Sequence, residues 1–269
     1  DENTLGPDVK KLEIYLKKNT IIKNKKCINL KTKKNIKAIV ATHVFGHPFE
    51  LNKLKKLCDR YKILLIEDAA EALGSYYKNK HVGTFGLMGI LSFNGNKIIT
   101  TGGGGAILTN SKKMSKKIKL ISTNAREPHV WEYKYNELGY NYKMPSLNAN
   151  LGISQMKKLK NFLKIKRKLF TIYKNEFKDF NEANIMEEPK NSISNYWLQT
   201  LILKKPNLKL RNQILKKMNQ LGVGARPVWN ILSRNKNLSK FPKMNLSKAL
   251  ELEKRIINLP SGVEICQKK

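Results

Sequence analysis

Apolar residues recur in this chain with two rhythms, and the switches between them mark its elements. Residues 36–42 (IKAIVAT) form a compact β-branched run that predicts a buried strand. Residues 50–60 carry Leu51, Leu54 and Leu57 at helical spacing, with lysine and aspartate opposite. Residues 62–66 are apolar again, so strand, helix and strand follow within a short span and predict a βαβ unit with a parallel sheet. Further apolar runs at 88–93 and 106–109 predict two more strands. Helical spacing appears at 7–18, 111–121 and 146–163, the last continuing toward residue 178 as a connector. Residues 23–35, polar and lysine-rich, are expected to be a loop, and 43–48 (HVFGHP) a turn.

The second half reads as a separate, smaller unit. Residues 196–203 (YWLQTLIL) predict a strand, 208–221 a helix closed by Gly222, 224–229 a short extended piece, and 246–258 a final helix stopped before Pro260. The expected organisation is a large α/β domain over residues 1–157 and a smaller α+β domain over 158–269.

Composition changes this picture little. At 269 residues and 41% hydrophobic, the chain can bury a substantial core, and it contains neither a signal-like start nor a run long enough to span a membrane. Three widely spaced cysteines, Cys27, Cys58 and Cys266, give neither a metal pattern nor a disulfide framework, which fits a reducing compartment and a cytoplasmic location. The net charge of +33 suggests nucleic acid, but the basic residues are spread along the chain and are overwhelmingly lysine. A solvated basic surface that draws anionic substrates accounts for it without a nucleic-acid partner. Aromatic residues interleave with basic ones at 126–144, where packing at a domain or subunit junction is favoured over base stacking.

The chemistry concentrates in residues 64–105. One apolar run ends in Glu67 and Asp68, the next leads into a polar turn bearing Lys97, and the glycines of 102–105 follow. Open α/β sheets build their sites at such strand ends. A lysine on a glycine-flanked turn serves either as a phosphate ligand or as an amine that bonds a carbonyl. Because Lys97 precedes the glycines, a Walker loop is excluded, and contiguous glycines in mid-domain exclude the dinucleotide fingerprint. Lys97 and Asp68 together suit pyridoxal 5'-phosphate, which needs a lysine for its aldehyde and an acid facing its pyridine nitrogen. Ser92 is placed for the cofactor's phosphate. His43, His47, His81 and His129 lack metal-ligand spacing.

Seven ordered segments resemble the sugar aminotransferases of the DegT/DnrJ/StrS type: HVFGHP at 43–48, IEDAAEALGS at 66–75, VGTFG at 82–86, LSFNGNKIITTGGGGAI at 91–107, ELGYNYKMPSLNANLGISQMKKL at 137–159, RPVW at 226–229 and INLPSG at 257–262. The resemblance implies the fold-type-I (aspartate aminotransferase-like) architecture of pyridoxal 5'-phosphate-dependent transferases: a mixed, mostly parallel sheet with helices on both faces, and a smaller C-terminal domain. It also implies transfer of an amino group, with glutamate the expected donor, to carbon 4 of a nucleotide-linked 4-keto-6-deoxy sugar, as in the legionaminic-acid branch. Surface glycan synthesis would use the product.

Residue by residue, the resemblance gives Lys97 the cofactor and the proton transfers, Asp68 the pyridine nitrogen, Glu71 the neighbourhood of the ring oxygen, and Ser92 the phosphate. Asn141 would reach the cofactor of a neighbouring subunit, which requires a homodimer. Lys143 stands where the family often has arginine. Asn94, Asn96 and Arg226 are candidate substrate contacts. Lys97 also separates the chain from the family's dehydratases, which carry histidine there. The family has a long segment before the position of Asp1, with a phosphate-binding Gly-Thr turn and an aromatic residue that stacks on the cofactor, so an N-terminally truncated chain is expected. The rival reading is a truncated family member without catalysis, kept for a structural or dimerisation role.

Plainer roles compete for several of these residues. Asp68 could cap a helix, Glu71 could face solvent on a helix, Lys97 could be one more exposed lysine, and Arg226 could form a structural ion pair.

Overall fold

The computed structural model describes residues 1–266. Helix α1 (Val9–Asn19) opens on Asp8, whose carboxylate accepts the Lys11 N–H and satisfies one of the free donors of the first turn. The segment expected to be a loop instead forms a hairpin, β1 (Thr20–Lys23) and β2 (Lys26–Asn29). Its turn residues, Asn24 and Lys25, both have positive φ, which matches the twist of the paired strands. Cys27 and Asn29 are buried while the lysines stay solvated, so lysine content alone concealed the alternation.

The predicted βαβ unit is present as β3 (Ala38–Thr42), α2 (Leu51–Tyr61) and β4 (Leu64–Asp68). The two strands are parallel, with Thr42 opposite Asp68. A small hairpin follows, β5 (Tyr76–Tyr77) and β6 (Lys80–His81). Strand β7 (Met88–Ser92) then joins β4 in parallel, and β8 (Gly105–Leu108) returns antiparallel, giving the order β3-β4-β7-β8.

Alternation along these strands divides the sheet into two faces. Ala41, Leu65 and Leu91 turn inward and pack with Leu16 of α1 and Leu51, Leu54 and Leu57 of α2. Val40, Leu64 and Ile107 lie on the other face and are exposed. The register places Thr42, Asp68 and Ser92 at one end of that open face.

Helix α3 (Lys112–Ser122) leads into the aromatic stretch, which contains only a two-residue hairpin, β9 (Arg126–Glu127) with β10 (Lys134–Tyr135). Trp131, Tyr133 and Tyr142 are exposed, so these aromatics do not pack a junction within the chain. Helix α4 (Ser146–Glu176) is the predicted connector, unbroken for 31 residues. Its first turn docks on the glycine turn, where the Asn148 amide donates to the Thr101 carbonyl at 2.6 Å.

Beyond α4 come β11 (Ala183–Ile185), β12 (Ser192–Ile193), β13 (Gln199–Leu203), α5 (Leu208–Gln220), β14 (Arg226–Pro227), α6 (Ser247–Glu253) and β15 (Ile256–Leu259). Four of these strands form an antiparallel sheet ordered β11-β13-β15-β14, covered by Phe170 of α4 and by Leu210, Ile214 and Met218 of α5. The helix expected over 246–258 therefore ends early. Ile256 and Ile257 are β-branched and gain two strand partners, and that pairing outweighs the helical spacing of the leucines before them. Strand β12 pairs with β5, tying the second half of the chain to the first.

Candidate active site

Consecutive strand residues point to opposite faces, so the acids Glu67 and Asp68 do different work. Glu67 turns into the core and is fully buried. Its carboxylate accepts the N–H groups of Gly83, Phe85 and Gly86 at 2.7, 2.6 and 2.8 Å and meets His43 Nε2 at 3.2 Å. Burial alone would raise this carboxyl, but the His43 and glycine hydrogen bonds hold it below the usual carboxylate range. The VGTFG turn at 82–86 is thereby wrapped around a charge. His43 in turn stacks on Phe49, their ring centroids 4.5 Å apart.

Asp68 faces the open side of the sheet. Thr42 Oγ1 donates to one of its oxygens at 3.3 Å and the Ala70 N–H to the other at 3.2 Å, and no helix begins there for it to cap. Ser92 ends the adjacent strand, on the same face, with its hydroxyl 3.4 Å from the Asn94 N–H. Asp68 and Ser92 thus sit side by side at the carboxyl ends of parallel neighbours, and Lys97 follows on the turn after β7.

Glu71 lies in a turn and is largely buried, contrary to a solvent-facing helical role. One oxygen accepts the Phe45 N–H at 2.8 Å and the other lies 3.7 Å from Lys97 Nζ. Burial pushes the Glu71 carboxyl up, against the opposing pull of the Phe45 N–H and the Lys97 ammonium. Lys97 is no surface lysine: its side chain is 14% exposed, and Nζ stands 4.0 Å from the centre of the Trp197 indole.

Trp197 was hidden within what reads as the start of a strand. Tyr196, with φ of 47°, bends the chain there, so β13 begins only at Gln199. The Trp197 Nε1–H donates to the Asn96 carbonyl at 2.8 Å, and its ring stacks on Trp229 at 6.1 Å. The one sequence signal was a second tryptophan in RPVW, a motif that otherwise drew attention to Arg226.

Asn94 and Asn96 are exposed on the turn. Asn94 accepts the Gly95 N–H through its side chain, while Asn96 contributes its backbone carbonyl. Arg226 is exposed on the edge strand β14, and among the described residues no carboxylate lies within ion-pair distance of it. With Asn96, Trp197, Trp229 and Asn258 it lines a pocket of about 620 Å³. A smaller apolar pocket of about 340 Å³ touches Thr42 and Glu71 and shares Val228 and Trp229 with the first. Asn141 and Lys143 line neither of these pockets and are exposed, Asn141 bridging backbone to Thr123. Among the described residues no cluster of metal-ligating side chains is present, and no helix is long and apolar enough to cross a membrane.

A Bacillus subtilis protein, the putative pyridoxal phosphate-dependent aminotransferase EpsN, is 39% identical over 196 residues, which are 73% of this chain and 50% of that protein. GDP-perosamine synthase of Escherichia coli O157:H7 is 32% identical over 87% of this chain and 63% of its own length. The solved structure of Helicobacter pylori PseC, an aminotransferase of pseudoaminic acid biosynthesis, superposes with a TM-score of 0.80 at 26% identity, covering 84% of this chain and 62% of that one. The chain therefore spans half to two thirds of the length of these relatives. Its fold is that of the type-I pyridoxal phosphate-dependent transferases. Over residues 1–269 it matches the family profile, and it belongs to the DegT/DnrJ/EryC1/StrS aminotransferase family.

Proposed function

We propose that this chain carries the lysine-bearing part of a pyridoxal 5'-phosphate-dependent sugar aminotransferase. The observation that carries the proposal is that Asp68 and Ser92 share one face at the carboxyl ends of adjacent parallel strands, while Lys97, on the turn that follows Ser92, holds its amine 3.7 Å from Glu71, three residues beyond Asp68. These groups fit the cofactor's three demands: an amine for the aldehyde, an anion for the pyridine nitrogen and a donor for the phosphate. When bound, the cofactor supplies an electron sink for the carbon that loses its proton.

The side chains have distinct tasks. Asp68, steadied by Thr42 and the Ala70 N–H, stays aimed along the open face and favours a protonated ring nitrogen. Ser92 donates to phosphate. Lys97, largely buried and close to the Trp197 ring, moves the proton at substrate carbon. Glu71, raised by burial and 3.7 Å from that amine, holds or returns a proton to it.

The amino acceptor in this proposal is carbon 4 of a nucleotide-linked 4-keto-6-deoxy sugar and the donor is glutamate, with the legionaminic-acid branch of surface glycan synthesis as the setting. The relatives' names support a nucleotide-sugar acceptor. The pocket bounded by Arg226 and Trp229 offers a guanidinium and an aromatic face suited to that anion. A second copy of the chain would bring Asn141, and the exposed Trp131, Tyr133, Tyr142 and Leu147 supply an apolar surface for such a dimer. The division at residues 157 and 158 would then fall inside α4, and the enzyme would work in the cytoplasm.

Spectral titration with pyridoxal phosphate tests the proposal. Wild-type protein should turn yellow and bleach on addition of glutamate, and Lys97→Ala should do neither. Equal uptake and bleaching by both proteins would overturn it.

A further inference from the structure

We propose that Trp197 is a positioning residue that gives the free Lys97 amine a fixed resting place, with the indole face on one side and Glu71 on the other. The inference rests on the assignment of Lys97 as the cofactor's lysine.

The geometry is specific to this lysine. Among the described residues, Lys78 and Lys240 lie over the ring of their own chain neighbour at 5.8 Å, and Lys80 lies 4.8 Å from Phe85. Lys97 approaches its ring to 4.0 Å, and that ring comes from a residue 100 positions away and is 3% exposed. An ammonium is drawn to the negative face of an indole, and more strongly where water is excluded. Its carboxylate partner, Glu71, is itself only 12% exposed.

Trp197 is held rigidly enough to serve as a platform. Its N–H donates to Asn195 Oδ1 at 2.9 Å, and its carbonyl accepts from Lys166 Nζ at 2.8 Å. Lys166 is buried and also donates to the Ser261 carbonyl. The indole Nε1–H bonds the Asn96 carbonyl, the residue just before Lys97. One side chain therefore fixes both the backbone root of Lys97 and its charged tip. A long, flexible lysine restrained in this way returns to one position whenever it is released, which spares the entropy of finding it again.

Trace acetylation of the cofactor-free chain, read lysine by lysine by mass spectrometry against exposed Lys112, tests this. Lys97 labelling should rise about fivefold in Trp197→Leu, and Trp197→Phe, which keeps a ring, should restore it to within about twofold of wild type. Unchanged labelling in a Trp197→Leu protein that melts like wild type would overturn the proposal. Should that variant fail to fold, Trp197 is left in place and Trp131 and Trp229 are replaced by Phe, so that it is the sole indole. Its emission should then change on Lys97→Met, and superimposable spectra would overturn the proposal. Wild-type protein that takes up no pyridoxal phosphate would remove the cofactor assignment but leave both of these measurements standing.

Discussion

The side-chain amide of Asn195 donates to the backbone carbonyls of Glu71 and Leu73 at 2.8 and 2.9 Å. Its oxygen accepts the Trp197 N–H, and its own backbone N–H donates to Ser75 Oγ. One buried residue thus joins the turn that carries Glu71 to the bend that carries Trp197. Gly46 is part of the same joint: its φ is +90°, and a Cβ there would stand 1.8 Å from Asn195 Oδ1.

Asn195→Asp keeps the size of this side chain but turns a carboxylate oxygen toward two carbonyls. The loss should be about 3 kcal/mol or more, because two buried acceptors lose their donor and face a charge. Urea unfolding measures it; a midpoint within error of wild type would show that the joint contributes nothing.

Glu67→Gln replaces one acceptor oxygen with a donor that must face backbone N–H groups, and should cost about 3 kcal/mol. The same group gives a pH signature. Its folded carboxyl lies below the unfolded value of 4.5, so its contribution is complete above that value and is lost as pH falls through the lowered one. Acid titration of wild type and variant should converge at low pH.

His47 has the opposite chemistry. It is 1% exposed, neither ring nitrogen has a hydrogen-bond partner among the described residues, and burial holds the imidazole down to about 4. The unfolded chain therefore binds a proton that the folded chain refuses between pH 6.5 and about 4. Stability is complete above 6.5 and declines by about 3 kcal/mol as pH falls through that window. His47→Leu should flatten this decline in melting experiments at pH 7, 6, 5 and 4, and an unchanged slope would refute it.

The placement of the candidate site's residues was largely legible because turns and strand ends punctuate that stretch. Asp68, Ser92 and Lys97 stand in or after apolar runs whose composition and bounding turns are local features. The plainer roles weighed for Asp68, Glu71 and Arg226, as helix cap, solvent-facing helical residue and ion-pair member, find no counterpart among the described residues. Trp197 was not legible: its contact with Lys97 spans a long sequence separation, and YWLQTLIL reads as a strand throughout until Tyr196 bends it. Glu67 was masked by its neighbour, since nothing local tells which of two adjacent acids faces inward. Strand β15 and the β1–β2 hairpin were misread for a shared reason. In each, pairing with a distant or lysine-covered partner outweighed local spacing.

The most direct measurement of the central claim is borohydride reduction of the protein with pyridoxal phosphate, followed by peptide mapping. In a chain this rich in lysine, colour alone would not identify the amine. The account predicts a single dominant pyridoxyl group on the peptide that contains Lys97. Modification scattered over surface lysines, with Lys97 unmodified, would contradict it.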